Sequence, residues 1–348
     1  MIFFFILLFI FIVSLIFLEE YLGDYKKYVY WGICIIMILF CAFRPLGVDP
    51  DSEAYEEIFQ SNENNPKLLV ESSFLFFSEI VKGFTDDVHY LFLIYAIMGI
   101  TIKFYALRKL SPWYFLPLAI YIGNYFILHD FIQIRAAIAS GMLLLAIKPL
   151  SEGNKKKAIV YFLIANVFHY SSFAFYPILF FSNNLSQIWK YTLIAILPVG
   201  AVLFLLHYDF FSALPIPYIQ EKIEMYKALT ERGVFDELSL KNVSIWIQYA
   251  IILYSLYFYD TILEHCPALP ILLKIPAYSM ACFFALSSIS VVAGRLHELL
   301  GIVELALFPC VCYTIRPQYY GKIAVCMIGI IEFIFILFIW ELLDFAMA

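Results

Sequence analysis

Charge is scarce in this chain: of 348 residues only 14% are Asp, Glu, Lys or Arg, against roughly a quarter in soluble domains. With 64% hydrophobic residues beside it, that shortage excludes an ordinary water-soluble fold. A basic stripe is also lacking, and the net charge of −6 argues against nucleic acid as a partner. Glycine-rich phosphate loops are missing, which removes the usual nucleotide cradle. The 7 cysteines lie mostly in apolar stretches (Cys34, Cys41, Cys282, Cys310, Cys312, Cys326) without metal-type spacing, so they read as small hydrophobes. Cys310 and Cys312, two apart on one helix, point different ways and suit no metal. Heptads, repeats and low-complexity tracts do not occur. One helical domain over 1–348 is the expectation.

What the chain has in abundance is long hydrophobic runs, with a mean hydropathy of +0.87. A bilayer core of about 30 Å takes about 20 apolar residues per helix. Spans are expected near 1–18, 28–43, 89–107, 113–129, 131–149, 191–207, 242–259, 273–293, 298–314 and 323–343. The run Met1 to Leu18 lacks a basic leader and a small-residue cleavage site, so it reads as a first membrane helix rather than a signal peptide. Glu71 to Phe84 is short and carries Glu71, Glu79 and Lys82, which suits an interfacial or re-entrant helix. Lys157 to Phe181 is interrupted by His169-Tyr170-Ser171-Ser172 and Pro177, and reads as one helix or a broken pair. The fold class expected is an all-α, polytopic integral membrane protein of about 10–12 transmembrane or re-entrant helices.

Topology follows from the basic residues, because short Lys/Arg-rich loops stay cytoplasmic. Lys26-Lys27, Arg108-Lys109, Lys155-Lys156-Lys157 and Arg316 to Lys322 share one side if Glu71 to Phe84 does not cross and the His169 segment bends back. The Arg44 loop, the loop 208–241 and the Arg295-Leu296-His297-Glu298 stretch then share the extracytoplasmic side. Loop 208–241 includes Tyr218 to Tyr226, whose mixed charges suggest an amphipathic surface helix.

Three polar clusters stand out against this apolar background. Arg44-Pro-Leu-Gly-Val-Asp49-Pro-Asp51-Ser-Glu53-Ala-Tyr55 breaks abruptly from the second span. Arginine's planar fork suits phosphate oxygens and a carboxylate can take a proton from a sugar hydroxyl; alternatively Arg44 pins the loop through an aspartate. His129-Asp130 with Arg135 forms the second cluster, where Arg135 binds a ligand or pairs with Asp130 or Asp51. Arg295, His297 and Glu298 form the third, between two apolar spans, with Arg295 and Glu298 able to pair at i,i+3. His169 sits alone at membrane depth, as a satisfied core residue or a base. Glu304 extends a polar face inward, whereas Glu332 and Glu341 read as interfacial or packing residues.

Three motifs in order, Arg44-x2-Gly47-x-Asp49-x5-Tyr55, Ile134-Arg135-x5-Gly141 and Phe168-His169-Tyr-Ser, resemble the EpsG/Wzy-type bacterial polysaccharide polymerases over about residues 28–182. The resemblance implies a GT-C-like glycosyltransferase of the bacterial cytoplasmic (inner) membrane, building O-antigen, capsule or exopolysaccharide. It would move a growing glycan from undecaprenyl pyrophosphate onto the non-reducing end of a lipid-linked repeat unit, inverting, without cofactor or metal. Partners so implied are the lipid-linked oligosaccharides, membrane lipid, a flippase and a chain-length regulator. Within that frame 44–70 becomes the extracytoplasmic catalytic loop. Arg44, Arg135 and Arg295 hold pyrophosphate, with His297 and Tyr55 on the substrate; Asp49 is the first choice of base, with Asp51, His169 and Glu298 behind it. The competing functions are an O-antigen ligase and a transporter or flippase of lipid-linked oligosaccharide.

Overall fold

The structure is a computed structural model that describes residues 1–61, 71–206, 224, 240, 242–340, 342 and 343. The far end of the 44–70 loop, nearly all of 208–241 with its expected surface helix, and Glu341 lie outside the described residues. The chain is an all-α polytopic membrane protein, 80% helical, with no strand among the described residues. Six described helices are long and apolar enough to cross a membrane, and four shorter apolar ones accompany them.

In chain order the helices are α1 (Ile2–Leu18), α2 (Lys26–Ala42), α3 (Ser52–Gln60), α4 (Ser72–Lys82), α5 (His89–Leu110) and α6 (Leu116–Ile120), which widens into a π-helical stretch over Tyr121–Ile132. Then follow α7 (Ile134–Ser151), α8 (Lys155–Phe168), a 3₁₀ segment Tyr170–Phe180, α9 (Gln187–Leu205) and α10 (Val243–Tyr257). The last are the short α11 (Tyr259–Leu263), α12 (Leu269–Ala285), α13 (Ser290–Gly301), α14 (Glu304–Leu307) running into 3₁₀ Phe308–Tyr313, and α15 (Gln318–Ile334), extended to Ile339.

Apolar residues all round a helix mean burial on all sides or contact with lipid. The stretch Tyr121–Ile132 is the first kind, with all of its residues buried, and it forms the axis of the bundle. α15 crosses it at two glycines: a Cβ on Gly123 would lie 2.6 Å from the Gly329 oxygen, and one on Gly329 would lie 2.7 Å from the Ala119 oxygen. Without side chains at the crossing, the backbones touch and dispersion holds them where no hydrophobic effect operates.

Helix direction fixes the two ends of the bundle. α2 runs from Lys26 toward Arg44, α5 from His89 to Arg108, and α7 from Arg135 to the Lys155 turn. Lys26 and Arg108 meet on one ring, Tyr114, at 5.3 and 3.6 Å. At the opposite end the His89 Nε2 lies 3.0 Å from the Arg44 carbonyl oxygen. Basic loops and polar clusters therefore occupy opposite ends, as the charge pattern requires.

Of the two forms open to Lys157–Phe181, the structure shows the broken pair. His169 is extended (φ −154°, ψ 114°) between α8 and the 3₁₀ segment. The segment folds back, so that Asn166 Nδ2 donates to the Tyr176 hydroxyl at 2.8 Å and the Phe162 and Tyr176 rings meet at 6.0 Å. One boundary differs from expectation. Arg295, His297 and Glu298 do not lie between two spans; they sit inside α13, and the chain turns earlier, at 286–289. Within α13 His297 is buried against Ser279 and Glu298 accepts from Gln133, while Arg295 is exposed.

Candidate active site

Two arginine–carboxylate pairs stand at the polar end, and they differ in what surrounds them. In the first, Gly47 adopts φ +78°, a left-handed turn that returns the chain toward α2. Gly47 N–H donates to Ser52 Oγ at 3.0 Å, and Ser52 Oγ donates to the Asp49 carbonyl at 3.2 Å. The turn delivers Asp49 to Arg44, whose Nε donates to Oδ2 at 2.7 Å while Nη1 donates to the Cys41 carbonyl at 2.8 Å. Phe92 and Phe131 flank the guanidinium at 4.2 and 5.1 Å. Asp49 Oδ1 accepts from the Asp51 N–H at 3.1 Å. Both side chains of this pair are 0% exposed, and Arg44 Nη2 has no hydrogen-bond partner among the described residues.

The second pair joins Arg135, in the first turn of α7, to Glu71, the residue that opens α4. Glu71 also meets His169 Nδ1 at 3.2 Å and accepts from the Tyr170 N–H at 3.4 Å. The Tyr55 ring centre lies 5.5 Å from the Arg135 guanidinium. Here the side chains of Arg135 and Glu71 retain 23% and 6% exposure. Burial pushes the Glu71 carboxyl up, but the His169 hydrogen bond and the Arg135 charge outweigh it and hold the group at about 2. Tyr55 moves the other way, to about 12, through burial and the nearby Asp51 charge, against the pull of Arg135.

Arg135 thus pairs with neither Asp130 nor Asp51, the partners weighed from sequence. Asp130 faces α5 instead, taking two hydrogen bonds from Lys103 Nζ at 2.9 and 2.8 Å and one from the Tyr121 hydroxyl at 2.6 Å. His129 is buried, and neither ring nitrogen has a partner among the described residues. That cluster is a structural pin around Lys103.

Asp51 completes the open group. It is half-buried, and burial raises its carboxyl above the ordinary 3.8 against the lowering charges of Arg295, Arg135 and Arg44. Arg295 is exposed on α13, one turn before Glu298. Glu298 accepts from Gln133 Nε2 at 3.1 Å, which links α13 to the start of α7 beside Arg135. His297 is 5% exposed and meets Ser279 Oγ at 2.9 Å through Nδ1, so it faces the bundle.

The fold therefore brings Asp51, Tyr55, Arg135, His169, Arg295 and Glu298 to one end, and seals Arg44 and Asp49 beneath them. Glu71 and Gln133 are the members that sequence reasoning missed as site residues. Their signal was weak: a carboxylate opening a short apolar helix, and an amide two residues before an arginine. Among the described residues no three His, Cys, Asp or Glu side chains converge as metal ligands. Asp49 spends both oxygens on Arg44 and the Asp51 N–H, so Asp49-x-Asp51 offers one free carboxylate.

An all-α membrane bundle with arginines and carboxylates gathered at one end defines a polytopic protein with a polar site at its rim. The chain belongs to the EpsG family, whose family model matches residues 27–347. That membership places it in polysaccharide biosynthesis, with a polymerase-type function. No curated protein and no solved structure matches the chain.

Proposed function

We propose that the protein is a membrane polysaccharide polymerase of the GT-C-like kind, moving a growing glycan from a polyprenyl pyrophosphate onto the non-reducing end of a lipid-linked repeat unit. The observation that carries this reading is the open group: a half-buried Asp51 under the charges of Arg135 and Arg295, at the end of the bundle away from the basic loops. That end faces outward across the bacterial cytoplasmic membrane by the positive-inside rule.

The reaction asks for few parts. The acceptor hydroxyl oxygen attacks the anomeric carbon, the bond from that carbon to the phosphate oxygen breaks, and its electron pair leaves on the polyprenyl pyrophosphate. Arg135 and Arg295 stabilise the charge that develops there, a contribution worth about 10²- to 10³-fold for one fixed donor. Asp51 takes the hydroxyl proton, and its raised pKa makes it a better base than an unperturbed aspartate. Glu71 fixes Arg135 and His169 in relation to each other. A single displacement inverts the anomeric centre, and the arginines supply the positive charge that a metal would otherwise bring. Arg44 and Asp49, first choices from sequence, become the clamp that sets Asp51 in place.

The test is reconstitution of the purified protein with a synthetic polyprenyl-pyrophosphate repeat unit. A ladder of longer lipid-linked products without nucleotide sugar is expected. No elongation overturns the polymerase reading, and transfer restricted to a lipid A-core acceptor makes the protein a ligase instead.

A further inference from the structure

Glu71 uses its two carboxylate oxygens in different ways. Oε1 faces the hinge after α8, where His169 Nδ1 lies at 3.2 Å and the Tyr170 N–H donates at 3.4 Å. Oε2 accepts from Arg135 Nη1. One oxygen anchors the side chain, and the other sits on the arginine to which the proposed reaction brings a phosphate. Although burial raises it, the His169 hydrogen bond and the Arg135 charge hold the Glu71 pKa at about 2, so the group is anionic near neutral pH.

Arg135 needs an anion even with no substrate bound. It stands in the first turn of α7, where the helix dipole opposes a cation. The Gln133 side chain does not cap that turn and donates to Glu298 instead. A half-buried guanidinium left uncompensated there is costly, and Glu71 compensates it. A carboxylate and a phosphate offer oxygens of the same reach to an arginine fork. A phosphate on this fork meets the Oε2 charge at close range and is repelled by it, so Arg135 holds one or the other.

We infer that Glu71 competes with pyrophosphate for Arg135: it yields the arginine to the donor and takes it back to expel the spent polyprenyl pyrophosphate. The assignment rests on the polymerase reading. The exchange breaks only the Oε2 contact, because Oε1 keeps its place on His169 and Tyr170. The donor displaces Glu71 because a pyrophosphate carries more charge than one carboxylate and also meets Arg295, which acts on Asp51 together with Arg135. The product no longer carries the glycan and holds on by pyrophosphate and lipid alone. A carboxylate that merely held Arg135 in place would have the opposite signature, since its loss would weaken pyrophosphate binding.

The test titrates inorganic pyrophosphate into the purified full-length protein by calorimetry, and measures kcat and KM for the synthetic polyprenyl-pyrophosphate repeat unit. Glu71→Gln keeps an oxygen for His169 and Tyr170 but gives up the charge, and should bind pyrophosphate about tenfold more tightly than the wild type. Glu71→Asp, still anionic but one methylene further from Arg135, should fall between the two. In Glu71→Gln kcat should drop about tenfold because product release slows, and KM should drop at least as far. Arg135→Ala should bind pyrophosphate weakly, and adding Glu71→Gln to it should bring no gain. Unaltered thermal transitions show that the variants fold. Unchanged, weaker or absent binding in Glu71→Gln and Glu71→Asp, a gain that persists without Arg135, or a raised KM would overturn the inference. Failure of the polymerase reading is a separate result: a wild-type protein that does not elongate the lipid-linked unit.

Discussion

Arg44–Asp49 and Arg135–Glu71 are the same chemical pair in two settings. The first has both side chains 0% exposed, aromatic rings about the guanidinium, and both carboxylate oxygens engaged. The second keeps 23% of Arg135 exposed and shares its carboxylate with His169, while each arginine has one guanidinium nitrogen without a partner among the described residues. On the proposed reading, burial rather than residue type separates a pin from a site. A sealed charge pair contributes to the fold because removing one partner strands the other, while a wetted arginine remains free to exchange its partner for a phosphate.

The largest effect is expected where the pair is sealed. Arg44→Ala should cost about 3–5 kcal/mol by leaving Asp49 charged and unpaired, seen as loss of folded protein in a thermal-shift assay. The double variant Arg44→Ala with Asp49→Ala should recover part of that loss, since no charge is then stranded. Lys103→Met should behave like Arg44→Ala, because Asp130 is equally buried.

Next comes the open pair. Arg135→Ala should accumulate normally in the membrane and lower the elongation rate about 10²- to 10³-fold, read as loss of the glycan ladder on a gel. Asp51→Asn should cost about 10²- to 10⁴-fold, the range of a lost general base.

The pH profile sharpens the contrast at smaller amplitude. Asp51 must be unprotonated to act and its pKa is raised, so the rate should fall as pH drops through a value above 3.8. Glu71 is depressed to about 2: its contribution is fully present above its ordinary 4.5 and disappears only as pH falls from there through about 2. The acid limb therefore belongs to Asp51, and Glu71→Gln should lower the rate about tenfold without moving that limb. A limb that shifts in Glu71→Gln contradicts the assignment.

Hydropathy made much of the fold legible because most of the long apolar runs among the described residues became helices, and the broken Lys157–Phe181 segment was visible in His169 and Pro177. The turn after α12 was not legible: Arg295 and Glu298 resemble loop residues, and only the bonds of His297 to Ser279 and of Glu298 to Gln133 show that this stretch packs as a helix. The site was legible as clusters, not as roles. Arg44 and Arg135 both follow apolar or loop sequence, and nothing in either motif tells which side chain the phenylalanines enclose. Glu71 is distant from Arg135 in sequence, and only the hairpin of α8 and the placement of α4 bring it to both Arg135 and His169.

The most direct measurement is the elongation rate per folded molecule, with a synthetic polyprenyl-pyrophosphate repeat unit, for Arg135→Ala beside Arg44→Ala. The account predicts that Arg135→Ala keeps its thermal transition and elongates at about one hundredth of the wild-type rate or less, while Arg44→Ala loses the transition. A folded Arg135→Ala that elongates at the wild-type rate, or a folded Arg44→Ala that does not elongate at all, would contradict it.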